Sequence, residues 1–356
     1  MPCTVRAIQG ILNGNIFMKK KLLILTTGGT IACTAGACGY VPTLTAEKIL
    51  AFVPDPPDAV LSVRAILSKD SSKITPCDWQ LIARTIKDLH KEFDGIVVLH
   101  GTDTMAYSAA AVEFMTLGVP IPVIFTGAQR PIGLPDSDGA GNLCDALHAA
   151  CCELLRGVFV VFDGVILNGC NVSKFDTTED HAFDSVIGQP VGRIENGRVQ
   201  VCATPRRCTD PNFFWRTALA ANVLLLKITP GFDPALLDIA RLRHDRVLVL
   251  EAFGLGGLPT QDGTLLEKIS ELRQAGILVV VTSQCSHGRC DMTIYEVGQA
   301  ALRCGAICSS VISKEALFSK LMWLLPIACN ASQLSSLLDR DFCGELGSAE
   351  IDRGVT

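Results

Sequence analysis

Residues 20–34 read KKLLILTTGGTIACT. Two lysines give way to the apolar run Leu22–Leu25, then to two threonines, two glycines and a third threonine. A short continuous apolar run closed by glycine reads as a strand buried on both faces, as in a parallel sheet. The turn that follows is the informative part. Glycines after a strand commonly cradle a phosphate, but the lysine of a phosphate-binding loop is missing here. What remains is a glycine-bent turn that carries hydroxyls.

Runs of the same kind recur at 59–67, 96–100, 121–126 and 158–162, and again at 223–228, 246–252 and 277–282. Segments with helical starts separate them, such as Thr75-Pro76-Cys77-Asp78, a capping threonine with proline at the first helical position. This alternation predicts an α/β fold with a mainly parallel sheet covered on both faces. The pattern breaks at about 195–222, where ENGRVQVCATPRRCTDPNFFWR is polar and proline-containing. The organisation expected is an extension over 1–17, a larger N-terminal α/β domain over 18–205, a linker over 206–222, and a smaller parallel-sheet α/β domain over 223–356.

The composition fits a well-buried protein: 356 residues, 49% hydrophobic and 19% charged. A net charge of −5 argues against nucleic acid or an anionic membrane as partner. The sixteen cysteines are scattered, several within apolar stretches (Cys144, Cys151, Cys152), and no C-x-x-C occurs. They read as small hydrophobes of a reduced, cytoplasmic protein. Cys285, His287 and Cys290 in QCSHGRC invite a zinc reading, but their spacing is not that of a zinc site, and no metal is expected. The apolar run after Met18 is too short for a signal peptide, and no run reaches membrane-spanning length.

In open α/β sheets ligands bind at the carboxyl ends of the strands. The residues just beyond the predicted strands are TTGGT, SKDSS, HGTDTM, TGAQRP and the region ending in NVSK. They are rich in Thr, Ser, Asp and Gly, with Lys174 in the last of them, which suits a small polar ligand and a hydroxyl nucleophile. Gly28 and Gly29 allow a tight turn presenting Thr30, a nucleophile only when a base lies beside it. Local hydrogen bonding is the commoner fate of such a threonine. HGTDTM sets Thr102 beside Asp103, which reads either as a helix cap or as a partner for a substrate ammonium. Lys174 supplies a base if burial lowers its pKa.

Two segments, LTTGGTIA and VVLHGTDTMAYSA, strongly resemble the active-site signatures of the bacterial-type L-asparaginase family, in the same order. The likeness continues through DSS (70–72), TGAQRP and SDGAGNL (126–143), KITPGF (227–232) and VTSQC (281–285). It covers nearly all of the chain from Met18 and is closest to the cytoplasmic type I branch. The resemblance implies a larger N-terminal domain with a left-handed crossover, and hydrolysis of L-asparagine to aspartate and ammonia without cofactor. It implies that Thr30 forms the acyl-enzyme, with Tyr40 above it on a mobile lid, and that Thr102, Asp103 and Lys174 form a second set. Asp70, Ser71 and Ser72 would hold the α-carboxylate and α-amino group, and backbone N–H groups near Thr102 or Ala128 an oxyanion. A homodimer or homotetramer is implied too, with a second amino-acid pocket near Cys285 as one reading of the loops at 252–259 and 283–288.

Other readings stay open. A broader glutaminase-asparaginase differs only by tolerance of one methylene, which is worth about 1–3 kcal/mol in a pocket. A related archaeal-type subunit acts on glutamyl-tRNA through the same fold, but carries an additional N-terminal module. A non-catalytic amino-acid sensor is the reading from outside enzymology, against which the joint presence of Thr30, Tyr40, Thr102, Asp103 and Lys174 speaks.

Overall fold

The computed structural model describes residues 19–36, 39–42, 44 and 46–347. The extension expected over 1–17 lies outside the described residues. The first part of the chain holds β1 (Lys20–Gly28), β2 (Cys33–Gly36), β3 (Gly39–Pro42), β4 (Ala59–Lys69), β5 (Gly95–Leu99), β6 (Pro122–Thr126) and β7 (Gly157–Phe162). It continues with β8 (Val165–Asn168), β9 (Val172–Lys174), β10 (Phe183–Ser185), β11 (Gly192–Glu195) and β12 (Arg198–Val201). Eight of these form one sheet in the order β12-β11-β8-β7-β6-β5-β1-β4. From β4 to β7 neighbouring strands run parallel, and from β7 to β12 they run antiparallel.

The apolar run of β1 explains its place. Leu22–Leu25 are all buried, and β1 lies between β4 and β5. Alternate residues of a strand face opposite sides. Leu23 and Leu25, with Ile96 and Val98, join the core of Trp79, Ile82 and Phe114. Leu22 and Ile24, with Val97 and Leu99, join that of Leu143 and Leu147 on the other face. The helix Pro76–Leu89 that supplies Trp79 starts as the sequence implies. Thr75 donates from its N–H and its hydroxyl to Asp78 Oδ2, at 2.8 and 2.7 Å.

The second part holds β13 (Val223–Lys227), β14 (Val247–Ala252), β15 (Leu278–Ser283) and β16 (Ile307–Cys308), all parallel, in that order across a smaller sheet. The fold is therefore two α/β units, the larger with a mainly parallel sheet. They are packed together through the helices Met105–Met115 and Lys314–Leu324, where Phe114 stacks on Trp323 with ring centroids 5.6 Å apart.

The polar stretch from residue 195 contains more structure than its composition suggests. Its first residues complete the β11–β12 hairpin, whose turn places Asn196 at φ 50° and Gly197 at φ 71°. Those values are the type I′ turn that Asn-Gly favours. Residues 202–222 carry no strand, yet Phe213 is buried against Trp323 and Phe342.

Candidate active site

The strand ends that the sequence singles out lie side by side. β4, β1, β5 and β6 are consecutive neighbours, so DSS, TTGGT, HGTDT and TGAQR line one edge of the sheet in that order. Backbone contacts lock them together. Gly29 N–H donates to Lys69 O at 3.0 Å, and Thr27 Oγ1 donates to Leu99 O at 2.8 Å. Thr104 Oγ1 donates to Ser71 O at 2.8 Å. Thr30 opens a single 3-10 turn straight after Gly29 and is half-buried.

Lys174, at the end of β9, comes to this edge from elsewhere in the chain. Its Nζ donates to Thr102 Oγ1 at 2.9 Å and to Asp103 Oδ1 at 2.8 Å. The lysine side chain is 14% exposed, whereas Asp103 is 66% exposed and open to a ligand. Thr102 is buried and donates in turn to Gln129 Oε1 at 3.1 Å. Threonine, aspartate and lysine thus form one hydrogen-bonded unit, with the carboxylate at its solvent side.

Asp70 is exposed and caps its own turn, accepting from the Ser72 N–H at 2.9 Å and the Ser72 hydroxyl at 2.5 Å. These two bonds hold its carboxyl below the usual aspartate range, and the Lys73 charge adds to the effect. Asp70 is therefore an ionised acceptor at neutral pH, suited to an ammonium. Ser71 is buried beneath it, its Cβ close behind Gly101. Ala128 is fully buried among Ile31 and Ile132, so only its backbone can serve a ligand.

Tyr40 has its backbone in β3, paired with Ala35 of β2. Its side chain, and Cys38 of the same segment, lie outside the described residues. Cys33 is buried and donates from Sγ to Gly29 O at 3.4 Å. Burial and the Asp70 charge push its thiol up, so this cysteine is a packing residue and not a reactive one.

Three residues near the site escape the sequence reading. Gln129 directly follows Ala128 and bridges Thr102 to the loop after Lys174. Lys69 donates to both carboxylate oxygens of Asp78, at 2.7 and 2.8 Å, and fastens the end of β4 to the helix beneath. His100 is fully buried under Gly101. Away from this edge, Ser173, Cys285, Arg289, Lys314 and Glu315 line a cleft between the two units. Among the described residues no group of three His, Cys, Asp or Glu side chains is placed to hold a metal ion. Cys290 is instead buried against the carbonyls of Val281 and Leu255.

Both parts of the chain have known relatives. Residues 21–207 match the family model described as Asparaginase, N-terminal, and residues 222–338 that of the Glutaminase/Asparaginase C-terminal domain. The chain is 38% identical over 328 residues to an L-asparaginase of Thermococcus kodakarensis, spanning 92% of this chain and 99% of that one. It is 33% identical to a glutamyl-tRNA(Gln) amidotransferase component of Methanosphaera stadtmanae, over 92% of this chain and 77% of that protein. Among solved structures, the thermostable L-asparaginase from Thermococcus kodakarensis superposes with a TM-score of 0.86 at 36% identity, covering 92% of this chain and all of that one.

Proposed function

Because this chain belongs to the asparaginase family in both of its domains, we propose that it hydrolyses L-asparagine to L-aspartate and ammonia through an acyl-enzyme on Thr30. Its enzyme class is that of the L-asparaginases, a relative of which it matches along almost the whole of that protein's length. The observation that carries the mechanism is the Thr102–Lys174–Asp103 unit at the edge where Thr30 also sits. A non-catalytic sensor has no need of a buried lysine clamped between a hydroxyl and a carboxylate.

Asparagine is bound by its charged ends. Asp70 and Asp103 receive the α-ammonium, and the turn of Ser71 and Ser72 receives the α-carboxylate. Thr30 then attacks the side-chain amide carbon. Its proton passes by way of Tyr40 or Lys174 to the departing nitrogen, which leaves as ammonia. Backbone N–H groups near Thr102 and Ala128 hold the oxyanion. Water splits the resulting ester, releasing aspartate and restoring the Thr30 hydroxyl. Tyr40 closes over the site from the β2–β3 segment.

The protein works without cofactor or metal, as a cytoplasmic homodimer or homotetramer. The reducing compartment is supported by fourteen free cysteines among the described residues. Ammonia release from L-asparagine, L-glutamine and D-asparagine is the deciding assay. L-asparagine is expected to be the best of the three. Equal or faster turnover of glutamine would establish the broader amidase. Tight binding of asparagine with no ammonia would establish the sensor.

A further inference from the structure

We infer that Gln129 is the positioning residue that fixes the direction of the Thr102 hydroxyl, and so keeps Lys174 as its donor; this deepens the reaction proposed above and rests on it. The two ends of the Gln129 amide are chemically distinct, and their surroundings leave one orientation. Nε2 lies 3.4 Å from the carbonyl oxygens of Asp176 and of Glu179. Carbonyl oxygens only accept, so the amide nitrogen must face them. Oε1 is thereby turned to Thr102 Oγ1, 3.1 Å away. An amide oxygen also only accepts, so the single hydroxyl proton of Thr102 points at Gln129.

That proton cannot then point at Lys174. The contact of 2.9 Å between Lys174 Nζ and Thr102 Oγ1 must run from nitrogen to oxygen. The ammonium gives a second proton to Asp103 at 2.8 Å. One hydroxyl lone pair is left, directed away from both partners, for substrate or water. In this resting arrangement Thr102 has no path for its proton to Lys174. It is built to orient and polarise, and the first attack falls to Thr30.

Gln129 can impose this because its backbone is anchored. Its backbone N–H donates to Asp138 Oδ2 at 2.8 Å, and that of Arg130 to Asp138 Oδ1 at 2.9 Å. Asp138 also accepts from Asn142 Nδ2 at 3.1 Å. The loop that supplies the two carbonyls is tied down separately, by Arg130 to Asp180 at 2.5 Å.

The test replaces Gln129 by Met, of similar length but without a strong acceptor, and by Glu, which accepts but cannot donate. Lys174 is followed by its 13Cε chemical shift through a pH titration, a readout independent of turnover. In Gln129→Met the freed hydroxyl can donate to the neutral amine, so Lys174 should titrate at lower pH than in the wild type. In Gln129→Glu it should titrate at the same pH or higher. The kcat of Gln129→Met for asparagine should fall about ten- to a hundred-fold, with KM changed less than about three-fold, as expected for misdirection without lost binding. The inference is overturned if Lys174 titrates identically in Gln129→Met and the wild type, or if Gln129→Glu, which still accepts from Thr102, shows the same lowered titration as Gln129→Met. A wild type that releases no ammonia while its Lys174 still responds to Gln129 as described would remove the reaction and leave the positioning role intact.

Discussion

The backbones of Gly29 and Gly101 are in direct contact: a Cβ built on Gly29 would lie 2.4 Å from the Gly101 nitrogen and 2.5 Å from its Cα. This contact brings the turn bearing Thr30 against the turn bearing Thr102, and no side chain fits between them. Gly29 also holds φ 85° and ψ 175°, a region open essentially to glycine alone. Gly29→Ala combines backbone strain of about 1–3 kcal/mol with overpacking of similar size. Its expected loss of stability is about 2–5 kcal/mol in urea denaturation, with activity falling more than about a hundred-fold. A variant that unfolds at the wild-type midpoint would show that the turns can part without cost.

Thr30→Ala should behave in the opposite way. The half-buried side chain carries little of the packing, so the midpoint of unfolding should stay within about 0.5 kcal/mol of the wild type. Turnover should fall by about three orders of magnitude or more, as for loss of a covalent nucleophile. Single-turnover assays quenched in acid should trap an acyl group on the wild type and none on the variant. Near-normal rates in Thr30→Ala would move the nucleophile to Thr102.

Much of the fold is legible because its central strands are buried on both faces, and so appear as unbroken apolar runs. The run at 96–100 is β5, Gly95–Leu99, and that at 121–126 is β6, Pro122–Thr126, each buried along its whole length. The outer antiparallel strands lack that signature. β11 and β12 expose alternate residues and read as polar chain, although the Asn196-Gly197 pair marks their turn. β9 spans three residues, too short for any period, so Lys174 stands out in the sequence only as the lysine ending NVSK, and its grouping with Thr102 and Asp103 comes from the family resemblance. Gln129 and His100 are silent for another reason. Their roles depend on partners brought by folding, and no local spacing encodes them.

His100 gives the site a pH-dependent stability. It is fully buried, with Nδ1 2.8 Å from the Gly101 carbonyl, which makes Nδ1 the protonated nitrogen, and with Nε2 unpartnered. Burial lowers its pKa from 6.5 to about 4, against the opposing pull of the Gly101 carbonyl and the Asp78 charge. The folded pKa lies below the unfolded one, so the unfolded chain binds the proton first. This contribution is complete above about pH 6.5 and is lost as the pH falls towards 4. Its loss between pH 7 and 4.5 amounts to about 2 kcal/mol. His100→Asn keeps a donor for Gly101 but does not titrate. Across the same interval the wild type should lose about 2 kcal/mol more than the variant in urea melts. Parallel losses would show that the folded protein accommodates the charged ring.

The last prediction concerns a buried ion pair far from the chemistry. Lys320, in the helix Lys314–Leu324, and Glu345 are both fully buried, with Nζ 2.8 Å from Oε1. The remaining ammonium protons go to the carbonyls of Leu338 and Arg340, each at 2.7 Å, while Glu345 accepts from the N–H groups of Phe342 and Cys343. Burial opposes the ionised carboxylate. The Lys320 charge, an Asp341 hydrogen bond and those N–H groups outweigh it and hold Glu345 below the usual glutamate range. Every donor of the lysine is used, so removing one partner strands a charge: Lys320→Met should cost about 3–5 kcal/mol. Adding Glu345→Gln to that variant removes the stranded charge yet keeps an oxygen for the N–H groups, and should recover at least about 1 kcal/mol. Trp323 lies one turn further along the same helix and packs on Phe114 of the N-terminal unit and on Phe342 of the stapled segment. Loosening the staple should therefore lower both units in one transition, seen as coincident fluorescence and circular-dichroism melts. Two separated transitions, or a double variant no better than Lys320→Met, would show that the pair stabilises the C-terminal segment alone or acts through packing and not charge.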